Sequence, residues 1–190
     1  VELGVGEAEA KQLNLGFLKA MATGMPYVRL KVASSLDGRT AMASGESKWI
    51  TGVHARQDVQ HWRALSGAVI TGIETVLADD CQLNVRHLEG IDVAQIVQPK
   101  RVILDRHGRL PVEAKILQQP DTVMVMGPFR QELADLGVLQ LPVQPLKELL
   151  QQLVQQHQIY DVLVEAGATL STAFLQEHLV DELISYVAPT

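Results

Sequence analysis

A single cysteine in 190 residues is the first constraint. Cys81 alone cannot close an internal disulfide or build a multi-cysteine zinc site, so a reduced, cytoplasmic setting is expected. No apolar run approaches the ~18–20 residues that cross a bilayer, and Val1 opens no signal-peptide pattern, so no membrane partner is expected. The glycine signatures of phosphate binding are missing as well, since neither G-x-G-x-x-G nor G-x-x-x-x-G-K-[ST] occurs. H-E-x-x-H and G-x-S-x-G are absent, and no histidine pair has metal-ligand spacing, so no metal is implied. His54 and His61 share one face of a helical stretch and read as surface histidines. There is no internal repeat and no low-complexity segment.

What the chain does have is apolar content of 47% against 20% charged residues, enough to bury one sizeable core. The net charge of −6 argues against a general binder of nucleic acid or anionic membrane. That charge is uneven. Between Arg29 and Arg63 six Lys/Arg face three acids, whereas residues 64–190 carry eight Lys/Arg against sixteen acids. A basic patch on an acidic protein suits a small phosphorylated ligand better than a polymer, although a solvated face of chance composition gives the same count.

Residues 8–21 place Leu13, Phe17, Leu18 and Met21 at helical spacing, closed by Gly24 and Pro26. Residues 27–34 alternate, with Val28, Leu30 and Val32 on one side and Arg29, Lys31 and Ala33 on the other. A turn follows at Asp37-Gly38, then a long polar loop over 34–47 and a helix from about Thr51 to Leu65. The run 68–72 (AVITG) predicts a buried strand leading to a ligand loop, with a polar connection after it. Further buried strands are predicted at 101–105 (RVILD), 122–126, 162–167 and 183–187, and helices at 146–154 and 169–178. Continuous apolar strands alternating with helices predict an α/β fold, a mainly parallel central sheet with helices on both faces.

In such sheets ligands collect at the carboxyl ends of strands, beside helix N-termini that hold phosphate. The turns 71–75 and 165–169 are rich in small residues that let backbone N–H groups approach an anion. Lys31 and Glu165 both lie on strands and are candidates for one cleft. As a pair they would either manage a proton and a polar substrate or form a structural ion pair. Trp49 reads as core or as a ligand platform.

The segment PYVRLKVASSLDGRT (26–40) resembles the opening of the reductase domain of the bifunctional riboflavin-biosynthesis deaminase–reductase family. The resemblance continues through SGESKWIT (44–51), Arg63, TVLADD (75–80), Leu83 to Arg86, RVILD (101–105), VEAG (164–167) and VDEL (180–183). It covers residues 10–189. It implies a dihydrofolate-reductase-like fold and NADPH as the cofactor. The implied substrate is the phosphorylated pyrimidine 5-amino-6-(5-phosphoribosylamino)uracil, reduced at its ribosyl group. Carried over by position, Ala33, Trp49, Thr75 and Asp79 contact the cofactor. The turn Gly167, Ala168, Thr169, Leu170, Ser171, Thr172 and Ala173 holds its phosphates. Ser47, Arg63, Leu83, Arg86 and Glu165 contact substrate, with the two arginines gripping phosphate through their guanidinium forks. Lys31 and Glu165 are expected to polarise and orient the substrate, with Asp79 in support.

The resemblance divides the chain into residues 1–25, similar to the tail of the deaminase domain and its connecting helix, and a reductase domain over 26–190. No deaminase activity is expected, because one cysteine cannot supply that domain's zinc ligands. Relatives are expected to continue past Thr190 into strands that complete the sheet, and to form homo-oligomers. Arg106 stands where many relatives carry a small polar residue near the cofactor, and the added cation there would either favour a 2′-phosphate or face solvent. The rival reading is a non-catalytic module that binds nucleotide or associates with itself through an unpaired sheet edge.

Overall fold

The computed structural model describes residues 4–39 and 52–188. Among these, seven strands form one sheet: β1 (Tyr27–Ser35), β2 (Ala68–Gly72), β3 (Lys100–Leu104), β4 (Val123–Met126), β5 (Leu139–Leu141), β6 (Asp161–Glu165) and β7 (Glu182–Ala188). Their order is β5-β4-β3-β2-β6-β1-β7, and every pairing is parallel. The helices are α1 (Glu7–Leu13), α2 (Leu15–Thr23), α3 (Val53–Ala64), α4 (Ile73–Asp79), α5 (Gln131–Asp135), α6 (Leu146–His157) and α7 (Ala168–Gln176). None is long and apolar enough to cross a membrane among the described residues.

Because side chains alternate along a strand, each buried strand feeds two layers. Val28, Leu30, Ala68, Ile70, Val162 and Val164 pack with Leu149, Leu150 and Leu153 of α6 and Phe174 of α7. Val69, Ile103 and Leu163 pack on the other face with Ile73 and Val76 of α4, Leu133 of α5 and the ring of Trp62 from α3. The second face also receives Arg29, Lys31, Thr71 and Glu165, the strand positions alternate to the first set. That alternation is what puts the polar chemistry on the α3/α4 side.

The chain runs outward from β1 through β2, β3, β4 and β5, then returns to insert β6 between β2 and β1. Neighbouring strands β2 and β6 therefore lead into α4 and α7, which leave toward opposite faces of the sheet. The crevice between two such helix starts is where open parallel sheets hold ligands.

Three expectations change. The helix over 8–21 is two helices broken at Asn14, and its apolar groups are not its buried face. Leu13 is 86% exposed, whereas Gly16 and Ala20 of α2 are buried. The reason is close approach, since a Cβ at Gly16 would lie on the Asp161 carboxylate and 2.6 Å from the Tyr160 carbonyl oxygen. The polar connection after β2 begins with α4, two turns anchored by Ile73 and Val76, too short for a periodic signal. Last, α5 and the three-residue edge strand β5 carry no separate sequence signal. The Asp37-Gly38 turn does form, with Gly38 at φ +80, where a glycine is needed. Ser35 closes it by accepting the Arg39 N–H and donating to Asp37.

Candidate functional site

A cavity of about 460 Å3 occupies the crevice between the starts of α4 and α7. Gly72, Ile73, Glu74 and Thr75 form one wall, Gly167, Ala168, Thr169, Leu170 and Ala173 the other, and Arg106 and His107 close the β3 side. Gly167 caps α7 in extended conformation without a side-chain cap, and a Cβ there would meet open space. The first-turn N–H groups of α7 therefore have no helical acceptor and no capping oxygen, the condition for binding a phosphate. The phosphate group of a nucleotide suits this donor set. Thr75, Gly167, Ala168, Thr169, Leu170 and Ala173 thus stand in one cavity wall. Ser171 does not, being buried with its hydroxyl donating to the Ala166 carbonyl oxygen at 3.3 Å. Thr172 is exposed outside the wall.

Two residues before Gly167, Glu165 ends β6 on the α3/α4 face. Arg63 of α3 grips it with both sides of its fork, Nε to Oε1 at 2.6 Å and Nη2 to Oε2 at 2.9 Å. The remaining Nη1 donates to the Asn84 carbonyl oxygen at 3.1 Å. Both side chains are about nine-tenths buried. Burial alone would lower the Arg63 pKa, but the Glu165 charge and hydrogen bonds outweigh it and raise it.

This geometry decides one alternative. Lys31 and Glu165 are register partners on adjacent strands, yet they form no ion pair with each other, because Glu165 engages Arg63. The Arg63 fork is directed at Glu165. Of the expected arginine pair, only Arg86 is exposed. Its backbone N–H donates to Gln60 Oε1 and its guanidinium forms no ion pair among the described residues. Two cations of the excess between Arg29 and Arg63 are neutralised by acids from outside that stretch, since Arg29 pairs with Asp161 and Glu182 and Arg63 with Glu165.

Leu83 has its side chain in the core at 5% exposure, and its backbone sits at φ +53. Its side chain is therefore not presented to a ligand. Ala33 lies on β1 opposite Tyr186, and Asp79 ends α4, both outside the cavity wall. Ser47 and Trp49 lie outside the described residues.

Several residues of this face were not singled out from sequence. Tyr186 of β7 donates its hydroxyl to Asp58 of α3, which also accepts from Trp62 Nε1 at 3.1 Å. Nothing in local pattern marks these residues, because only the β1–β7 register brings them beside Lys31. His107 was missed for want of any motif.

Cys81 is half-buried near this cluster. Burial first, then the charges of Asp79 and Glu165, push its thiol up to about 11, against a smaller opposing effect of Arg63. The thiolate is the reactive form. Cys81 is therefore expected to alkylate with iodoacetamide at pH 8 far more slowly than free cysteine, accelerating toward pH 11. Complete modification at the free-cysteine rate, read by mass spectrometry, would contradict this.

The parallel seven-stranded sheet with its crevice at the β2/β6 switch is an α/β domain of the dihydrofolate-reductase-like class. Within that class, residues 26–190 match the model of the RibD C-terminal domain, and the chain belongs to that family. It is 45% identical to the riboflavin biosynthesis protein RibD of Escherichia coli over all of this chain and 55% of that protein. The solved structure of Acinetobacter baumannii RibD superposes with a TM-score of 0.98 at 78% identity, covering 100% of this chain and 53% of that one. A Thermotoga maritima diaminohydroxyphosphoribosylaminopyrimidine deaminase/5-amino-6-(5-phosphoribosylamino)uracil reductase matches with a TM-score of 0.81 at 31% identity, over 97% of this chain and 50% of that one. The chain spans about half the length of the curated relatives it matches.

Proposed function

We propose that this domain is an NADPH-dependent reductase that converts the ribosyl group of 5-amino-6-(5-phosphoribosylamino)uracil to the ribityl group in riboflavin biosynthesis. It would act in the cytoplasm, beside a deaminase domain in a homo-oligomeric protein. The observation that carries this reading is the continuity of two sites. The α4/α7 cavity suits the phosphate group of a nucleotide, and its wall at Gly167 is two residues from the buried Glu165 carboxylate.

Reduced nicotinamide, when bound, supplies hydride. The rest is alignment and charge by this chain's own residues. The uncapped first turn of α7 would hold the cofactor's phosphates. Arg106 and His107, the basic residues of the cavity wall, would favour a 2′-phosphate. Arg63 fixes both Glu165 oxygens, so the carboxylate meets the substrate in one orientation. Lys31, with no carboxylate partner among the described residues, supplies the positive charge that polarises the ribosyl group, and Asp79 supports the site from the end of α4. Arg86, with Ser47 and the Leu83 backbone, completes the substrate contacts at the phosphate.

The test is NADPH oxidation at 340 nm with the deaminated phosphoribosylaminouracil, run with NADH in parallel. Wild-type chain is expected to turn over with NADPH preferred. Glu165→Gln should lose on the order of 100-fold in kcat/KM, and Arg106→Ser should narrow the NADPH preference by about tenfold, one lost charged contact being worth roughly 1.4 kcal/mol. Turnover and affinity both intact in Glu165→Gln would overturn the carboxylate's role. Absence of turnover with saturable NADPH binding would favour the non-catalytic reading.

A further inference from the structure

Lys31 on this face forms no ion pair with a carboxylate among the described residues. Its register partner on β6 is Glu165, which engages Arg63, and its register partner on β7 is Ile184. What it has instead is a ring. Its Nζ lies 5.9 Å from the centroid of Tyr186, two residues further along β7. An ammonium within about 6 Å of an aromatic face is held by the ring quadrupole.

That ring is itself fixed. The Tyr186 hydroxyl donates to Asp58 Oδ2 at 2.5 Å, and Trp62 Nε1 donates to the same oxygen at 3.1 Å. Burial and the Asp58 carboxylate both raise the Tyr186 pKa, so the phenol stays a donor. Trp62 is held in turn by Arg29, whose guanidinium carbon lies 5.5 Å from its ring. Strand β7 and helix α3 are thus tied together beside the Lys31 ammonium. A four-carbon side chain with no ion pair would otherwise sample many rotamers.

We propose that Tyr186 is a positioning residue for the reduction, its ring orienting the Lys31 ammonium toward the substrate while Asp58 and Trp62 hold the ring. This rests on the reading of Lys31 as the polarising cation. The predicted role is in the chemical step and leaves cofactor binding alone, because Tyr186 is not part of the α4/α7 cavity.

Two readouts separate the proposal from that reading. The first is the rate of acetylation of Lys31 in the ligand-free protein, measured by peptide mass spectrometry against exposed Lys147. Tyr186→Leu removes the ring and should speed Lys31 labelling about fivefold, whereas Tyr186→Phe keeps the ring and should restore the slow rate to within twofold. Asp58→Ala releases the ring without altering it and should also speed labelling, which preserves the test should Tyr186→Leu fail to fold. The second readout is turnover, where Tyr186→Leu should lower kcat about fivefold with NADPH affinity unchanged and Tyr186→Phe should recover most of it. Lys31 labelling unchanged in folded Tyr186→Leu, or in Asp58→Ala, overturns the proposal. Wild-type protein without turnover overturns the reductase reading, while the labelling comparison still decides whether Tyr186 holds Lys31. Faster labelling with kcat intact would show a contact without a positioning role, and would also overturn it.

Discussion

Arg63→Ala is expected to lower the thermal midpoint by on the order of 10 °C. Removing one partner of a buried ion pair leaves the other charge uncompensated, at a cost of about 3–5 kcal/mol. For a domain of this length each kcal/mol corresponds to roughly 2–4 °C. Here the stranded group is Glu165, 9% exposed, which loses both of its oxygen partners at once. The Asn84 carbonyl oxygen loses its donor too. A double substitution separates this from simple loss of packing. Arg63→Leu combined with Glu165→Leu should be distinctly more stable than Arg63→Leu alone, since removing both charges abolishes the unpaired carboxylate. Scanning calorimetry on the three variants reads this directly. An Arg63→Ala midpoint within 2 °C of wild type would show that Glu165 does not depend on Arg63.

The second large effect concerns the β3 rim of the cavity. Gly127 follows β4, and a Cβ there would lie on the backbone carbonyl oxygen of Asp105. Neither partner is the tip of a flexible side chain, so the two strand ends must move apart. The local ladder makes that expensive, because Gly127 N–H donates to the Leu141 carbonyl oxygen and Asp105 N–H to that of Met126. Gly127→Ala is expected to cost about 1–3 kcal/mol, as overpacking typically does. Because Arg106 and His107 directly follow Asp105, NADPH affinity should weaken in the same variant by severalfold. Gly137→Ala is the control, since it lies at φ +82 with nothing near its Cβ and is remote from the cavity wall. It should cost stability through backbone strain alone and leave NADPH affinity unchanged. Unchanged affinity in folded Gly127→Ala would break the link between this strand end and the cofactor site.

Much of the architecture is written in local pattern. The runs at 68–72, 101–105 and 162–165 are continuous apolar segments, and a strand buried on both faces requires that composition. They are β2, β3 and β6, each within two residues of its expected limits. The amphipathic spacing of Leu146, Leu149, Leu150, Leu153 and Val154 likewise specifies α6 and its buried stripe. The small-residue turns at 71–75 and 165–169 announce a phosphate-friendly edge, because backbone N–H groups are only reachable where side chains are small.

What the tertiary structure alone decided is which neighbour each polar group meets. Glu165 has Lys31 as its register partner and Arg63 102 residues away in sequence, and it pairs with Arg63. Local spacing cannot make that choice, since it depends on where α3 crosses the sheet. The buried side of α2 was equally hidden. A helix is read from its large apolar residues, but this one docks through Gly16 and Ala20 because its backbone must approach Tyr160 and Asp161 closely. Lys31 meets Tyr186 for the same kind of reason. Sequence period states which face a side chain takes, whereas strand order and register state what stands beside it, and the chemistry of this site is set by the second.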